Sequence, residues 1–208
     1  MGYTPRFWNW IAARYARQPV GDEKSYQLKL AKTQEYLDSD MQVLEFGCGT
    51  GSTALAHAPH VGSILAIDFA EKMIDIARQK AIDQGITNVD FKVMAIEELT
   101  SSENQFDAVL GLNVLHLLAD KTAALQAVMR LLKPGGIFVS STICAGELNF
   151  VVRSLLPLGG FLGLIPSIDI FRAHQLCDEL KKAGFHIDYQ WQPGSAKSVF
   201  IIARKPQV

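Results

Sequence analysis

Short apolar runs alternate along this chain with segments whose apolar residues recur at helical spacing. Val43-Leu44-Glu45-Phe46 reads as a first strand and Ile64-Leu65-Ala66-Ile67 as a second, with a helix over Ser52 to Ala58 that Pro59 ends. From about Ala70 to Asp83, Met73, Ile74, Ala77 and Ala81 fall on one helical face, and Gly85 stops the helix. Val89 to Ile96 and Phe106 to Leu112 read as the third and fourth strands. Leu125, Val128, Met129 and Leu132 mark a helix from Lys121 to Leu132. Lys133-Pro134-Gly135-Gly136 reads as a sharp turn into a fifth strand, Ile137 to Ile143. His174 to Ala183 is an amphipathic helix, and Phe185 to Trp191 and Val199 to Ala203 are strands around a turn at Pro193-Gly194. Strands joined so closely run antiparallel, because a parallel pair needs a long crossover. The pattern predicts an α/β chain whose sheet is parallel except for its last strand.

Two regions stand outside this alternation. Residues 1–40 carry an aromatic, amphipathic stretch (Phe7, Trp8, Trp10, Ile11, Tyr15), then a helix marked by Tyr26, Leu30, Thr33 and Leu37 that is expected to pack on the sheet. Residues 146–171 are unusually apolar; from Phe150 to Phe171, Arg153 is the only basic residue and Asp169 the only acidic one. Both are candidate covers for a ligand. The 208 residues suit one domain, divided into an N-terminal helical cap (1–40), a core (41–143), the apolar insertion (146–171) and a C-terminal helix and hairpin (172–208).

The chemistry concentrates where the first strand ends. In Glu45-Phe46-Gly47-Cys48-Gly49-Thr50-Gly51 every second loop residue is glycine, which lets the backbone turn tightly and lets a ligand touch main-chain atoms. A helix follows, and its first N–H groups face a polar or anionic ligand. Dinucleotide binders use G-x-G-x-x-G, with the third glycine against the helix. Here Ser52 stands at that position, which disfavours a nicotinamide cofactor.

These residues resemble motif I of the class I methyltransferases that use S-adenosylmethionine. Ile67-Asp68, Phe106-Asp107-Ala108-Val109, Leu112-Asn113-Val114-Leu115-His116 and Leu131-Leu132-Lys133-Pro134-Gly135-Gly136 are similar to the later motifs of that family, in order. The similarity covers roughly residues 40 to 143 and is closest in pattern to the small-molecule branch that includes quinone and other metabolite methyltransferases. It implies a Rossmann-like three-layer sandwich with a seven-stranded sheet, six strands parallel and one antiparallel. It also implies that Gly47, Cys48, Gly49 and Gly51 wrap the amino-acid end of the cofactor, and that Glu45 organises its amino group. Asp68 then grips both ribose hydroxyls, a task suited to a carboxylate that accepts two hydrogen bonds. Where the family often carries Asp-Ala-Glu-Glu-Leu, this chain has Ala95-Ile96-Glu97-Glu98-Leu99. The adenine then falls to main-chain groups at Ala95 and Ile96, with apolar contact from Phe69 and Met73. Tyr15 is expected over the methionine end, Leu112 and Asn113 at the cofactor cavity, and Asn113 with His116 on the acceptor side.

Each residue also has a plainer reading. Asp68 can be a polar strand end, and Glu45 can serve only to bond loop amides. Cys48 reads as a small loop residue rather than a reactive thiol. His116 is either a general base for a hydroxyl or protonated amine, or a pocket wall or helix cap. The aromatic stretch near Tyr15 serves equally as core packing or as a lid.

Composition narrows the partners. The formal net charge of −1 gives no field favouring nucleic acid or an anionic membrane, and no Asn-Pro-Pro-Tyr motif is present. Three widely spaced cysteines (Cys48, Cys144, Cys177) suggest neither a disulfide framework nor a metal knuckle, so a reducing, cytoplasmic setting is the default and no metal is expected. No signal-peptide run opens the chain, since Arg6, Arg14 and Arg17 interrupt it. The uncharged stretch Ser154 to Ile168 is too short to span a bilayer and is broken by Pro157, Gly159, Gly160 and Pro166. The expectation is an enzyme that passes a methyl group from S-adenosylmethionine to a small-molecule acceptor; the insertion would suit an apolar acceptor, a dimer or membrane-surface contact, or simply a buried helix pair. Its rivals are a cofactor-binding scaffold without catalysis and an NAD(P)-dependent oxidoreductase. The acceptor atom stays open, as does the choice between monomer and homodimer.

Overall fold

Strand β1 (Gln42–Phe46) is buried from Val43 onward, on both faces. Such a strand must lie inside a sheet covered on two sides, which explains its unbroken apolar run. It pairs in parallel with β2 (Ser63–Asp68) and β4 (Phe106–Leu112). Strand β3 (Val89–Val93) extends the sheet beyond β2, and β5 (Leu132–Thr142) beyond β4, all parallel. Strands β6 (His186–Trp191) and β7 (Val199–Arg204) complete seven, in the order β3-β2-β1-β4-β5-β7-β6. Strand β7 runs antiparallel to both its neighbours, so it alone opposes the others. The computed structural model describes residues 5–99, 103–150, 154, 168–194 and 198–207. Most of the apolar insertion expected at 146–171 lies outside them.

Helices cover both faces: α1 (Pro5–Arg17), α2 (Glu23–Gln34), α3 (Ser52–His57), α4 (Glu71–Gln84), α5 (Lys121–Leu131) and α6 (Ala173–Lys182). Asp22 caps α2 by accepting from the Ser25 N–H at 3.1 Å, and Asp120 caps α5 through the Ala123 N–H at 2.8 Å. Gly85, at φ 65°, ends α4 as expected. On one face of the sheet Leu44, Phe46, Val109 and Phe138 meet α5 and α6 residues such as Leu125, Val128 and Leu176. On the other, Val43, Ile64, Ala108 and Val139 meet Leu55, Ile74 and Ala77 of α3 and α4. Each fully buried Leu, Ile or Phe contributes about 2 kcal/mol of transfer free energy.

Three local expectations need correction. The third strand stops at Val93, and Ile96–Glu98 form a 3₁₀ turn. Lys133-Pro134-Gly135-Gly136 is a wide bulge inside β5 rather than a turn before it: Phe106 pairs with Leu132 but Ala108 with Ile137. Arg204 donates to the Gly135 carbonyl and Lys205 to the Leu132 carbonyl, and these bonds hold the bulge. Helix α2 ends at Gln34, so Leu37 lies beyond it.

Strand order reverses between β1 and β4, because β2 and β3 build outward on one side and β4 and β5 on the other. Ligands of open α/β sheets settle at the carboxyl ends of the strands at such a reversal. The glycine loop leaves β1 at that point.

Candidate functional site

A cavity of about 700 Å³ opens at the carboxyl ends of β1, β2 and β4. Tyr15, Glu45, Gly47, Cys48, Gly49, Asp68, Phe69, Met73, Ala95, Leu112 and Asn113 all line it. Two assigned residues do not. Gly51 heads α3 at φ 74°, where a Cβ would stand 2.8 Å from Ala77 Cβ and from the Phe91 ring, so its role is to let α3, α4 and β3 close together. Ile96 turns into the core, and Glu97 lines the cavity instead.

The loop is shaped as a cradle. Gly47 and Gly49 sit at φ 64° and 53°, in the left-handed region that glycine enters without strain. A Cβ on Gly47 would fall 2.5 Å from Val114 Cγ2, whereas one on Gly49 would meet nothing within 4 Å. Gly49 thus bares its backbone to open space. Asp68, at the end of β2, fastens this loop: one carboxylate oxygen accepts the Gly49 N–H and the other the Ala70 N–H, each at 2.9 Å. Each oxygen keeps a second lone pair for a ligand. Burial raises the Asp68 carboxyl, and the two amide bonds oppose that rise. Lys80, on α4, straps the loop from outside by donating to Thr50 Oγ1 and Ser52 Oγ at 3.0 Å each. The sequence reading missed this strap.

Glu45 is the anomaly of the site. It lies 3% exposed on the cavity wall, and its Oε2 is buried with no hydrogen-bond partner. Burial, with the nearby Asp68 charge, pushes its carboxyl up to about 8. Such a group is costly unless a ligand supplies a donor or a positive charge. Beside it, burial drives the Cys48 thiol far upward, so Cys48 stays a neutral loop residue.

Helices α1 and α2 close the cavity. Trp8 stacks edge-on against Phe7 and Tyr15 and packs with Ile11 and Ala12 against Ala70 and Met73, while Trp10 points away, 80% exposed. Burial and then the Asp68 charge raise the Tyr15 phenol, so Tyr15 sits within reach of the Asp68 field. Tyr26 is the tyrosine that feels Glu45; its hydroxyl lies 3.5 Å from Thr53 Oγ1. Helical spacing gave Tyr26 to the sheet-facing side, and the structure gives it to the cavity. At Ala95 the main-chain N–H already donates to Glu98 Oε1 at 3.0 Å, so it is not free for a base.

A second cavity of about 780 Å³ adjoins the first, sharing Trp8, Tyr15, Tyr26, Leu112 and Asn113. Asn113 stands at the junction with φ 57°, a conformation that costs a non-glycine residue energy and is held by its N–H bond to the Ser141 carbonyl. His116 lines this second cavity, not the first. It is 4% exposed, its Nδ1 has no partner, and burial pulls the imidazole down to about 4. Ile143, Leu148 and Ile168 give the cavity an apolar wall, and Leu148 and Ile168 lie in or beside the two ends of the expected insertion.

A cradle of bare glycine backbone, a carboxylate at the end of β2 and a reversal of strand order are features that nucleoside-binding α/β folds share. A family model describing a methyltransferase domain matches residues 37–192. The chain belongs to that methyltransferase family. Among its relatives, a ubiquinone biosynthesis O-methyltransferase from Xylella fastidiosa (strain 9a5c) is 36% identical over 160 residues, 72% of this chain and 63% of the relative. The chain therefore spans less than two thirds of that protein. A solved structure of a putative methyltransferase from Bacillus halodurans superposes with a TM-score of 0.72 at 18% identity, covering 85% of this chain and 98% of the other. The cyclase SpnF superposes with a TM-score of 0.71 at 22% identity, covering 86% of this chain and 80% of its own. At such identities the likeness is one of fold. Among the described residues no group of His, Cys, Asp and Glu is placed to hold a metal, and no helix is long and apolar enough to cross a membrane.

Proposed function

We propose that this chain binds S-adenosylmethionine in the first cavity and transfers its methyl group by direct displacement to a hydroxyl of a small molecule in the second. The observation that carries the reading is the unpartnered, buried oxygen of Glu45 beside the open backbone of Gly49. A ligand with an ammonium group answers the first, and a ligand that fills the space over the loop answers the second. The residues present fit the cofactor. Glu45 and the loop would hold its amino-acid part, Asp68 the ribose hydroxyls through its remaining lone pairs, and Phe69 and Met73 the faces of the base. Glu97 brings a carboxylate to the cavity near the position where Ala95 lacks one, and we assign it the adenine amino group.

When bound, the cofactor supplies a methyl group already activated by a sulfonium sulfur. The protein's own work is then to bind, align and exclude water. Tyr15, Tyr26 and Trp8 cover the junction of the two cavities, and Asn113 holds its shape. His116 stays neutral above about pH 5 and offers an imidazole nitrogen to an acceptor hydroxyl. A base held that low takes a hydroxyl proton poorly, so we assign His116 to orienting the hydroxyl. The choice of oxygen as acceptor atom rests on the name of the Xylella relative, and the apolar body of the acceptor on Ile143, Leu148 and Ile168.

Calorimetric titration with S-adenosylhomocysteine tests the cofactor reading, using protein freed of bound ligand and NADH as control. Wild type binds the nucleoside and ignores NADH, and Asp68→Ala binds about tenfold more weakly, near 1.4 kcal/mol. Wild type that ignores S-adenosylhomocysteine overturns the reading.

A further inference from the structure

Helix α1 has two faces with different tasks. Trp8, Ile11 and Ala12 pack against Ala70 and Met73, and Trp8, Tyr15 and Ala16 reach the first cavity. Helical periodicity puts Arg6, Trp10, Arg14 and Arg17 together on the opposite side. All four are exposed, Trp10 by 80%. The helix has no acidic residue, and among the described residues none forms an ion pair or hydrogen bond with the three guanidinium groups. Arg14 and Arg17 suit the last turn, but Arg6 stands in the first turn against the helix dipole, so helix stability does not explain the set. Beyond Arg17, Pro19 and Val20 are also exposed, at the rim of the first cavity.

An exposed indole among three uncommitted guanidinium groups matches a partner that offers phosphate oxygens with an apolar layer beneath them. Guanidinium pairs with phosphate through its forked N–H donors, and indole favours the boundary between water and hydrocarbon. A lipid leaflet supplies both within the length of one side chain. Nucleic acid also offers phosphates, but its bases reward ring stacking and have no use for the aliphatic Pro19 and Val20. The net charge of −1 belongs to the whole chain, and at close range the local charge decides. The three arginines stand within about 17 Å of helix.

We propose that the outer face of α1 docks on an anionic lipid surface, with Trp10 among the headgroups and Arg6, Arg14 and Arg17 on their phosphates. Docking there brings Val20, which lines both cavities, to the same surface. The proposal stands apart from the cofactor reading and does not depend on it. Sedimentation with sucrose-loaded vesicles tests it, using phosphatidylcholine alone and phosphatidylcholine mixed with phosphatidylglycerol. Wild type binds the mixed vesicles about tenfold more tightly than the neutral ones. The triple variant Arg6→Gln, Arg14→Gln, Arg17→Gln binds the mixed vesicles about tenfold more weakly or worse, and Trp10→Ser about threefold more weakly. Both variants keep the wild-type urea midpoint, because the changed side chains face water. Lipid spin-labelled near the headgroup quenches wild-type tryptophan emission, and quenches vesicle-bound Trp10→Phe far less. Wild type that ignores the mixed vesicles, or either variant binding them as wild type does, overturns the proposal. Tighter binding of wild type to a single-stranded oligonucleotide at equal phosphate concentration also overturns it and assigns the face to nucleic acid.

Discussion

Replacing Glu45 by glutamine should make the unliganded protein's stability less sensitive to pH, by an amount set by its burial. The carboxyl rises from its ordinary 4.5 to about 8 in the folded chain. Between those values the folded state holds a proton that the unfolded state has released. A group raised in this way contributes its full stability below pH 4.5, and that contribution is lost as pH rises through 8. The slope is about 1.4 kcal/mol per pH unit. Wild type should therefore lose about 2–3 kcal/mol relative to Glu45→Gln between pH 5.5 and 7.5. Urea unfolding followed by circular dichroism at pH 5.5, 6.5 and 7.5 measures this, and subtracting the variant removes the titration of every other group. Saturating S-adenosylhomocysteine should flatten the slope, because an ammonium beside Glu45 favours its ionised form. A wild-type minus variant difference that stays constant across the three pH values in the unliganded protein refutes the argument. It would mean that Glu45 is already ionised and that its orphaned oxygen has a partner.

Gly51→Ala places a Cβ at φ 74° and 2.8 Å from Ala77 and Phe91, and should destabilise the fold by roughly 2–4 kcal/mol in urea unfolding. Lys121 is 7% exposed, bridges Asp169 at 3.1 Å and Glu179 at 3.0 Å, and lies 3.4 Å from the Phe171 ring centroid. Lys121→Ala should cost about 2–3 kcal/mol in the same assay, the low end for a buried pair because both carboxylates reach water. Glu97→Ala should weaken S-adenosylhomocysteine binding by about threefold to tenfold, while Glu97→Gln, which still offers an acceptor oxygen, stays close to wild type in calorimetry.

What was legible in the sequence was mostly local or followed from general chain topology. The glycine loop announces itself because strand, glycines and helix are contiguous, and the antiparallel last strand follows from a short connection. Asp68 is visible locally only as a carboxylate at a strand end; its assignment to a ligand came from the resemblance. The overlong third strand and the overlooked Glu97 have one cause. A strand ending at Val93 and passing into a 3₁₀ turn shifts the phase of the side chains, so Ile96 goes inward and Glu97 outward. The bulge at Gly135 was read as a turn because the residues that hold it, Arg204 and Lys205, come from the far end of the chain. Lys29, which donates to Ser141 and Ser198 at the wall of the second cavity, was invisible for a similar reason: those partners lie 112 and 169 residues away. Tyr26 was assigned to packing because helical periodicity gives a face but not what that face meets.

The double duty of Asp68 constrains how this cavity can be redesigned. Its carboxylate fixes the Gly49 amide and the Ala70 amide, so it ties the loop to the segment that starts α4. An engineer who exchanges it to admit a different nucleoside also releases both main-chain anchors. The loop then gains conformational freedom that any new ligand must remove on binding, and part of the gain from a better-matched contact is cancelled. Retargeting would therefore start with a substitute able to receive both amide protons, or with a second change that stiffens the loop from the Lys80 side.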